Sequence, residues 1–298
     1  MKRIRFFCNF TNPIKIPEEY KIIHRLYESS ATVEEGEEVY DKTYIFTNDE
    51  DYTHAVILNT AMPDLKVPKE RVIGLAFEPP YYLGLTTQFV EYAIRNIGRY
   101  YIGECRGLPS PFFEGYSFMT HITPPLISNL KEKGKTKWMS IIFSKKLQAP
   151  GHRYRHTLVQ KILETDLPVD IYGRGCAYYK SSTDPRFKGE FTEKEPYMDY
   201  KYHIAIENFQ TPRYFSEKIT NPLLCECKPI YLGCTNIKEY FGENVIELSG
   251  NVDTDIEIIR RIYETDGEKD SYGDNIIDQD TILKKISFNR CVKEYLTD

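Results

Sequence analysis

Short apolar runs alternate with amphipathic stretches along this 298-residue chain, and that rhythm most constrains its fold. In the first half, strands are expected at Ile4–Cys8, Tyr44–Phe46, Ala55–Asn59, Val72–Phe77 and Tyr100–Gly103. In the second they are expected at Met139–Phe143, Val169–Tyr172, Ile204–Glu207, Pro229–Leu232 and Val245–Glu247. Helices are expected at Glu18–Tyr27, Thr86–Asn96, His152–Glu164, after Lys218, at Asp255–Glu264 and at Ile282–Tyr295. Strands alternating with helices at this spacing imply parallel sheets with crossover helices. A polar, charged stretch carrying Gly134 separates the two sets near residues 126–137. The expected architecture is α/β, with two Rossmann-like domains over 1–130 and 131–298 and a last helix that packs back on the first domain.

Composition excludes several functions. A net charge of −5 without a long basic run argues against nucleic-acid binding. The mixed run from Lys131 to Lys137, broken by Glu132 and Gly134, reads as a solvated linker. No apolar run approaches the ~20 residues that span a bilayer, and the basic start MKRIRFFCNFTNP reads as a first strand. A soluble, cytoplasmic protein without a membrane span is expected. The seven cysteines are odd in number, which argues against a disulfide framework. Cys225, Cys227 and Cys234 lack zinc-site spacing and read as buried thiols.

The stretch HIAIENFQTPRYFSEKIT, residues 203–220, runs from a strand apolar on both faces into a cluster of charge. A central parallel strand has that pattern, and ligands of open α/β sheets bind beyond the carboxyl ends of strands. Glu207 and Asn208 occupy that place. Tyr214, Glu217 and Lys218 follow at spacings expected to share one helical face. A lysine suits a phosphate and a glutamate suits paired sugar hydroxyls. A tyrosine offers a flat face with one hydroxyl. Together they suit a nucleoside diphosphate, although a solvated charged trio would show the same spacing.

From Tyr200 to Gly233 the sequence YKYHIAIENFQTPRYFSEKITNPLLCECKPIYLG resembles the donor-binding signature of the α-1,3-fucosyltransferases, glycosyltransferase family ten. The parts come in the same order: an apolar strand ending in Glu-Asn, a loop, Tyr-x-Ser-Glu-Lys, an apolar helix, and Pro-Ile-x-x-Gly. The likeness is weaker but collinear over about 138–200 and faint before 130. It implies a GT-B fold of two facing Rossmann-like domains, the second holding a nucleotide-sugar. It also implies donor contacts by Asn208, Tyr214, Glu217 on ribose, and Lys218 on the diphosphate. An arginine at the first helix of that domain completes the family set; Arg155 fits its spacing and Arg153 is the neighbour. Lys145, Ser216, Glu207 and the Gly173 turn are further candidates. Two departures stand out. Pro222 lies where the family continues its helix, implying a kink or a later start, and Phe209 replaces a small polar residue.

Inverting transfer requires a base from the acceptor side. Glu78, before the stiff Pro79-Pro80 pair, matches the family's strand–Glu–turn; Glu104 and His121 are rivals. Three Asp-x-Asp triplets occur, at Asp49–Asp51, Asp253–Asp255 and Asp278–Asp280. None has the strand context of a metal site. No essential metal or other cofactor is expected, because GT-B enzymes usually neutralise the leaving diphosphate with Lys, Arg and helix dipoles. The expected partners are a nucleotide-sugar, GDP-fucose or a UDP-sugar such as UDP-xylose, and a glycan acceptor. Lys218→Ala is expected to cost far more turnover than stability. The alternatives are an inactive glycan- or nucleotide-binding protein and, less well supported without G-x-G-x-x-G, a nicotinamide oxidoreductase.

Overall fold

The computed structural model describes residues 1–16, 44–115, 117–119, 134–179, 182–192, 194–269 and 281–282. The expected helix at Glu18–Tyr27 and most of that at Ile282–Tyr295 lie outside them, as do His121, Cys291 and the triplet at Asp278. Contacts divide the described chain into two compact units, the first holding Met1–Met119 with Thr211–Tyr214 and the second the rest.

The first unit is a six-stranded parallel sheet. Its strands are β1 (Lys2–Phe7), β2 (Tyr44–Phe46), β3 (His54–Leu58), β4 (Val72–Leu75), β5 (Arg99–Ile102) and β6 (Phe112–Glu114), in the order β2-β1-β3-β4-β5-β6. The interior strands β3 and β4 are buried throughout, which is why they read as continuous apolar runs. A short α1 (Pro80–Leu83) begins on the expected proline pair. In α2 (Thr87–Asn96), the Thr86 side chain caps the start by accepting from Phe89 N at 3.1 Å. Phe89 and Ala93, one turn apart, bury against Tyr100, Ile102 and Phe112. Gly74 leaves room for the Tyr100 ring; a Cβ there would lie 2.0 Å from it. The short β7 (Ser117–Met119) follows.

The second unit is also a six-stranded parallel sheet, of β8 (Lys137–Ile142), β9 (Val169–Tyr172), β10 (Phe187–Gly189), β11 (Tyr200–Ile206), β13 (Lys228–Leu232) and β14 (Ile246–Glu247). Its order is β10-β9-β8-β11-β13-β14. Helices α3 (Pro150–Leu163) and α7 (Val252–Lys269) share one core with the sheet: Leu158, Val159 and Ile162 meet Ile256, Ile259, Ile204 and Ile206. Between β11 and β13 lie β12 (Tyr214–Ser216) and α5 (Glu217–Leu224); α4 (Glu195–Met198) precedes β11 and α6 (Lys238–Phe241) follows β13. The chain departs in opposite directions from β8 and β11, so their carboxyl ends flank the point where such sheets bind ligands.

The Pro222 expectation changes here. Helix α5 starts at Glu217, because the Ser216 hydroxyl caps it by accepting from Lys218 N. Pro222 stays inside, and the helix ends two residues later at Leu224. The cysteines among the described residues carry no disulfide; Cys225, Cys227 and Cys234 are buried, as read.

Candidate active site: a charged cleft at the end of the central strand

Two backbone approaches build the cleft of the second unit. Gly151, in the first turn of α3, donates from N to Asn208 O at 2.9 Å. A Cβ at 151 would fall 1.8 Å from the Glu207 carbonyl oxygen, so only glycine lets the helix start press on this strand end. Gly233, after β13, leaves the same kind of room for the Glu207 side chain, 2.4 Å from where its own Cβ would stand. His152 then closes the helix start: its Nδ1 accepts from Ala149 N at 3.1 Å. That bond requires an unprotonated ring nitrogen. Burial, with Arg155, Lys146 and Lys218 nearby, pushes His152 down to about 4.

The expected cations meet the expected polar groups. Buried Arg155 donates from Nη2 to Asn208 Oδ1 at 2.7 Å and from Nε to Gly151 O at 3.2 Å, fixing its guanidinium at the end of β11. Lys218 Nζ lies 3.0 Å from Ser216 Oγ, 3.1 Å from Glu217 Oε1 and 3.4 Å from Glu207 Oε2. Burial acts to lower the Lys218 ammonium, but the two carboxylates outweigh it and the net shift is upward. The Glu207 side chain is wholly buried. Its Oε1 accepts from Ser216 N at 2.8 Å and from Ser216 Oγ at 2.9 Å. Burial pushes its carboxyl up, while Lys218 and Ser216 pull it back. Glu207 and Ser216 therefore brace the cleft from within, and Arg155, Asn208, Glu217 and Lys218 are its candidate ligand-facing groups.

That brace adds a stability cost to the expectation for Lys218→Ala. Removing the ammonium strands a buried carboxylate, which costs about 3–5 kcal/mol, so fold stability suffers along with any activity.

Tyr214 is also corrected. It does not share a helical face with Glu217 and Lys218, because residues 214–216 are extended and the helix starts only at Glu217. Three-residue spacing cannot distinguish a strand, a cap and a helix in succession from one helical turn. Tyr214 belongs to the first unit, where its hydroxyl lies 3.2 Å from Glu78 Oε2. Glu78 itself stands three residues beyond β4. The turn that carries it is pinned by Asn59, in left-handed backbone at φ 54°, whose Oδ1 accepts from Phe77 N at 2.8 Å. The rival Glu104 is taken up by Arg106 at 2.6 Å and by the Thr211 hydroxyl at 3.1 Å.

Several lesser candidates have other duties. Arg153 donates to Leu147 O and Gln148 O, both at 3.0 Å, bracing the loop before α3. Lys145 is exposed on that loop, and its carbonyl accepts from the Tyr178 hydroxyl at 3.3 Å. Gly173, at φ 101°, makes the tight turn read from the sequence; a Cβ there would meet Phe143 O at 2.4 Å. The Asp-x-Asp carboxylates are also engaged. Asp49 and Asp51 hold Arg3, and Asp255 takes Ser249 N at 2.7 Å and Gly250 N at 3.0 Å at the start of α7.

The sequence comparison falls on this cleft. The family profile described as glycosyltransferase family 10 (fucosyltransferase), C-terminal, matches residues 132–249, which contain Arg155, Asn208, Glu217 and Lys218. Over this segment the chain is similar to the family 10 glycosyltransferases. A protein of Acanthamoeba polyphaga mimivirus named as a fucosyltransferase is 26% identical over 152 residues, covering 44% of this chain and 24% of that relative. GDP-fucose protein O-fucosyltransferase 3 of Xenopus laevis is 26% identical over 141 residues, 46% of this chain and 29% of its own length. The chain thus matches less than a third of the length of either curated relative. Among solved structures, an α1,3-fucosyltransferase crystallised with GDP-fucose matches over 100% of this chain and 90% of its own, with TM-score 0.56 and 14% identity. At that identity the likeness is one of fold, the GT-B class with a Rossmann-like sheet in each unit. Among the described residues no helix is long and apolar enough to cross a membrane.

Sequence reading missed Gly151 and His152. Their signal was present in Ala149-Pro150-Gly151-His152, a proline-led helix start whose second residue must be glycine.

Proposed function

We propose that this chain is an inverting glycosyltransferase that moves a sugar, fucose by its likeness, from a nucleoside diphosphate to a glycan hydroxyl without an essential metal. The supporting observation is the pairing of Arg155 with Asn208 and of Lys218 with Glu217 at the β11 end, inside the family-matched segment. In this reading residues 131–298 hold the donor and 1–130 present the acceptor. Arg155 and Lys218 take the diphosphate, and Glu217 takes ribose hydroxyls. Glu78 removes the acceptor proton, with Tyr214 orienting its carboxylate. The acceptor oxygen then bonds the anomeric carbon as the bond to the diphosphate oxygen breaks. The electron pair leaves with the diphosphate, where fixed cations stabilise it.

The test is thermal unfolding with GDP, GDP-fucose, UDP and UDP-xylose, each without added metal. A ligand at 100 times its Kd adds about 2.7 kcal/mol, which raises the midpoint by several degrees. GDP and GDP-fucose are expected to do so, with fucose transfer once a glycan acceptor is added. A shift with the uridine series alone keeps the transferase and changes the donor. A panel that stays flat even with manganese overturns the proposal in favour of a glycan-binding protein on the same fold.

A further inference from the structure

A cavity of about 260 Å³ opens beside the charged cleft of the second unit. Arg155, Glu217 and Lys218 line it, and its apolar and aromatic walls come from Ile142, Phe191 and Tyr197. Asn221 also lines it, one helical turn beyond Glu217 on α5. Asn221 is 8% exposed, and its Oδ1 is buried without a hydrogen-bond partner. Its amide neighbours the Tyr197 hydroxyl and favours that group's ionised form against the upward push of burial. The Oδ1 oxygen is therefore an unmet acceptor in the cavity wall. A buried acceptor left unmet costs about 1–3 kcal/mol, so this one calls for a ligand donor.

A second acceptor stands on the adjoining wall. His203 Nδ1 lies 2.8 Å from Ser140 Oγ. That hydroxyl spends its proton on Pro196 O, so it accepts from Nδ1–H. The ring's lone pair is therefore on Nε2. Burial pushes His203 down to about 3, which keeps the ring neutral at physiological pH. The Tyr197 ring packs edge-on against it, 4.8 Å between centroids, so one tyrosine touches both acceptor-bearing residues.

The shape of the surroundings says which part of a donor belongs here. A sugar turns hydroxyls outward on all sides and needs polar partners all round, whereas a base has two apolar faces and one hydrogen-bonding edge. Apolar and aromatic walls with acceptors set among them suit a base. Two acceptors suit an edge with two adjacent N–H donors, such as N1–H and the 2-amino group of guanine. Uracil has a single N–H between two carbonyls and would set oxygen against acceptor. We propose that Asn221 and His203 read the edge of the donor's base in this cavity and select guanine over uracil. This rests on the nucleotide-sugar reading above and adds to it the residues that set the base.

The test is calorimetric titration of the unaltered chain with GDP, IDP and UDP; IDP is GDP without the 2-amino group. GDP is expected to bind about tenfold more tightly than IDP, the worth of one such hydrogen bond, and UDP weakest. Asn221→Ala is expected to weaken GDP about tenfold and UDP less than twofold. Equal binding of GDP and IDP, tighter binding of UDP, or an Asn221→Ala loss shared evenly by all three overturns the assignment. The first two comparisons need no variant, so they hold even if Asn221→Ala fails to fold. GDP binding without the ranking sinks this inference alone; binding of no nucleotide at all sinks the nucleotide-sugar reading with it.

Discussion

Each unit places a glutamate just past a buried parallel strand, yet the two carboxylates live differently. Glu207 follows β11 at the switch point of its sheet; it is wholly buried, held by Ser216 and faced by Lys218. Glu78 follows β4, away from the point where its own sheet reverses between β1 and β3, is partly exposed, and has the Tyr214 hydroxyl at 3.2 Å. A carboxylate that braces a loop must be sealed from water and fully bonded, whereas one that takes up a proton must keep a side open to its substrate. In the reading proposed above, the same residue type past a buried strand takes two roles, a brace at Glu207 and a base at Glu78, and burial separates them.

The widest separation is expected from Glu78→Gln. It should lower kcat by at least about a hundredfold, as loss of a general base does, with nucleotide affinity and unfolding midpoint unchanged. A variant that keeps its turnover would remove Glu78 from the chemistry. Glu207→Ala should do the opposite to the fold: it leaves Ser216 N–H without its buried acceptor and Lys218 with Glu217 alone as counter-charge, and should cost about 3 kcal/mol in urea unfolding. A stable Glu207→Ala protein would mean that the brace is dispensable.

Acid sharpens the same contrast. His152 and His203 sit at about 4 and 3 when folded, against an ordinary 6.5. As pH falls below 6.5 the unfolded chain binds protons that the folded chain refuses. Stability therefore drops from pH 6.5 toward 4, by up to about 1.4 kcal/mol per pH unit per histidine. Both residues belong to the second unit, as does Trp138, the single tryptophan of the chain. Tryptophan fluorescence in urea at pH 7, 6 and 5 should show the loss, and a midpoint constant over that range would refute it. The smallest effect is expected from Tyr214→Phe. Losing a hydrogen bond that favours the ionised carboxylate should move the acidic limb of kcat/KM to higher pH and slow turnover less than tenfold. An unmoved limb would make Tyr214 a packing residue only.

The sheets were legible because interior strands such as β3 and β4 are buried throughout and read as apolar runs; Val169–Tyr172 and the wholly apolar edge strand Tyr44–Phe46 match residue for residue. The edge strands Phe112–Glu114 and Phe187–Gly189 were not, since in each a charged residue interrupts a run only three residues long. In the cleft, Arg155, Asn208, Glu217 and Lys218 announce themselves by charge and by place in the motif. Glu207 could be placed at the strand end but not assigned its bracing role, because burial is a property of what surrounds a residue. Asn221 gave no signal for a similar reason: its interest lies in an unmet oxygen, and a sequence records no partners.

Gly151 has one consequence for anyone who surveys this protein by saturation mutagenesis. Its hydrogen atom occupies the space where any other residue would drive a methyl group into the Glu207 carbonyl. Position 151 should therefore tolerate as little change as a residue that touches substrate, although it has no side chain with which to touch anything. A map of tolerance alone would count it among the catalytic groups, and only the 1.8 Å clearance shows that what is being preserved there is an empty space.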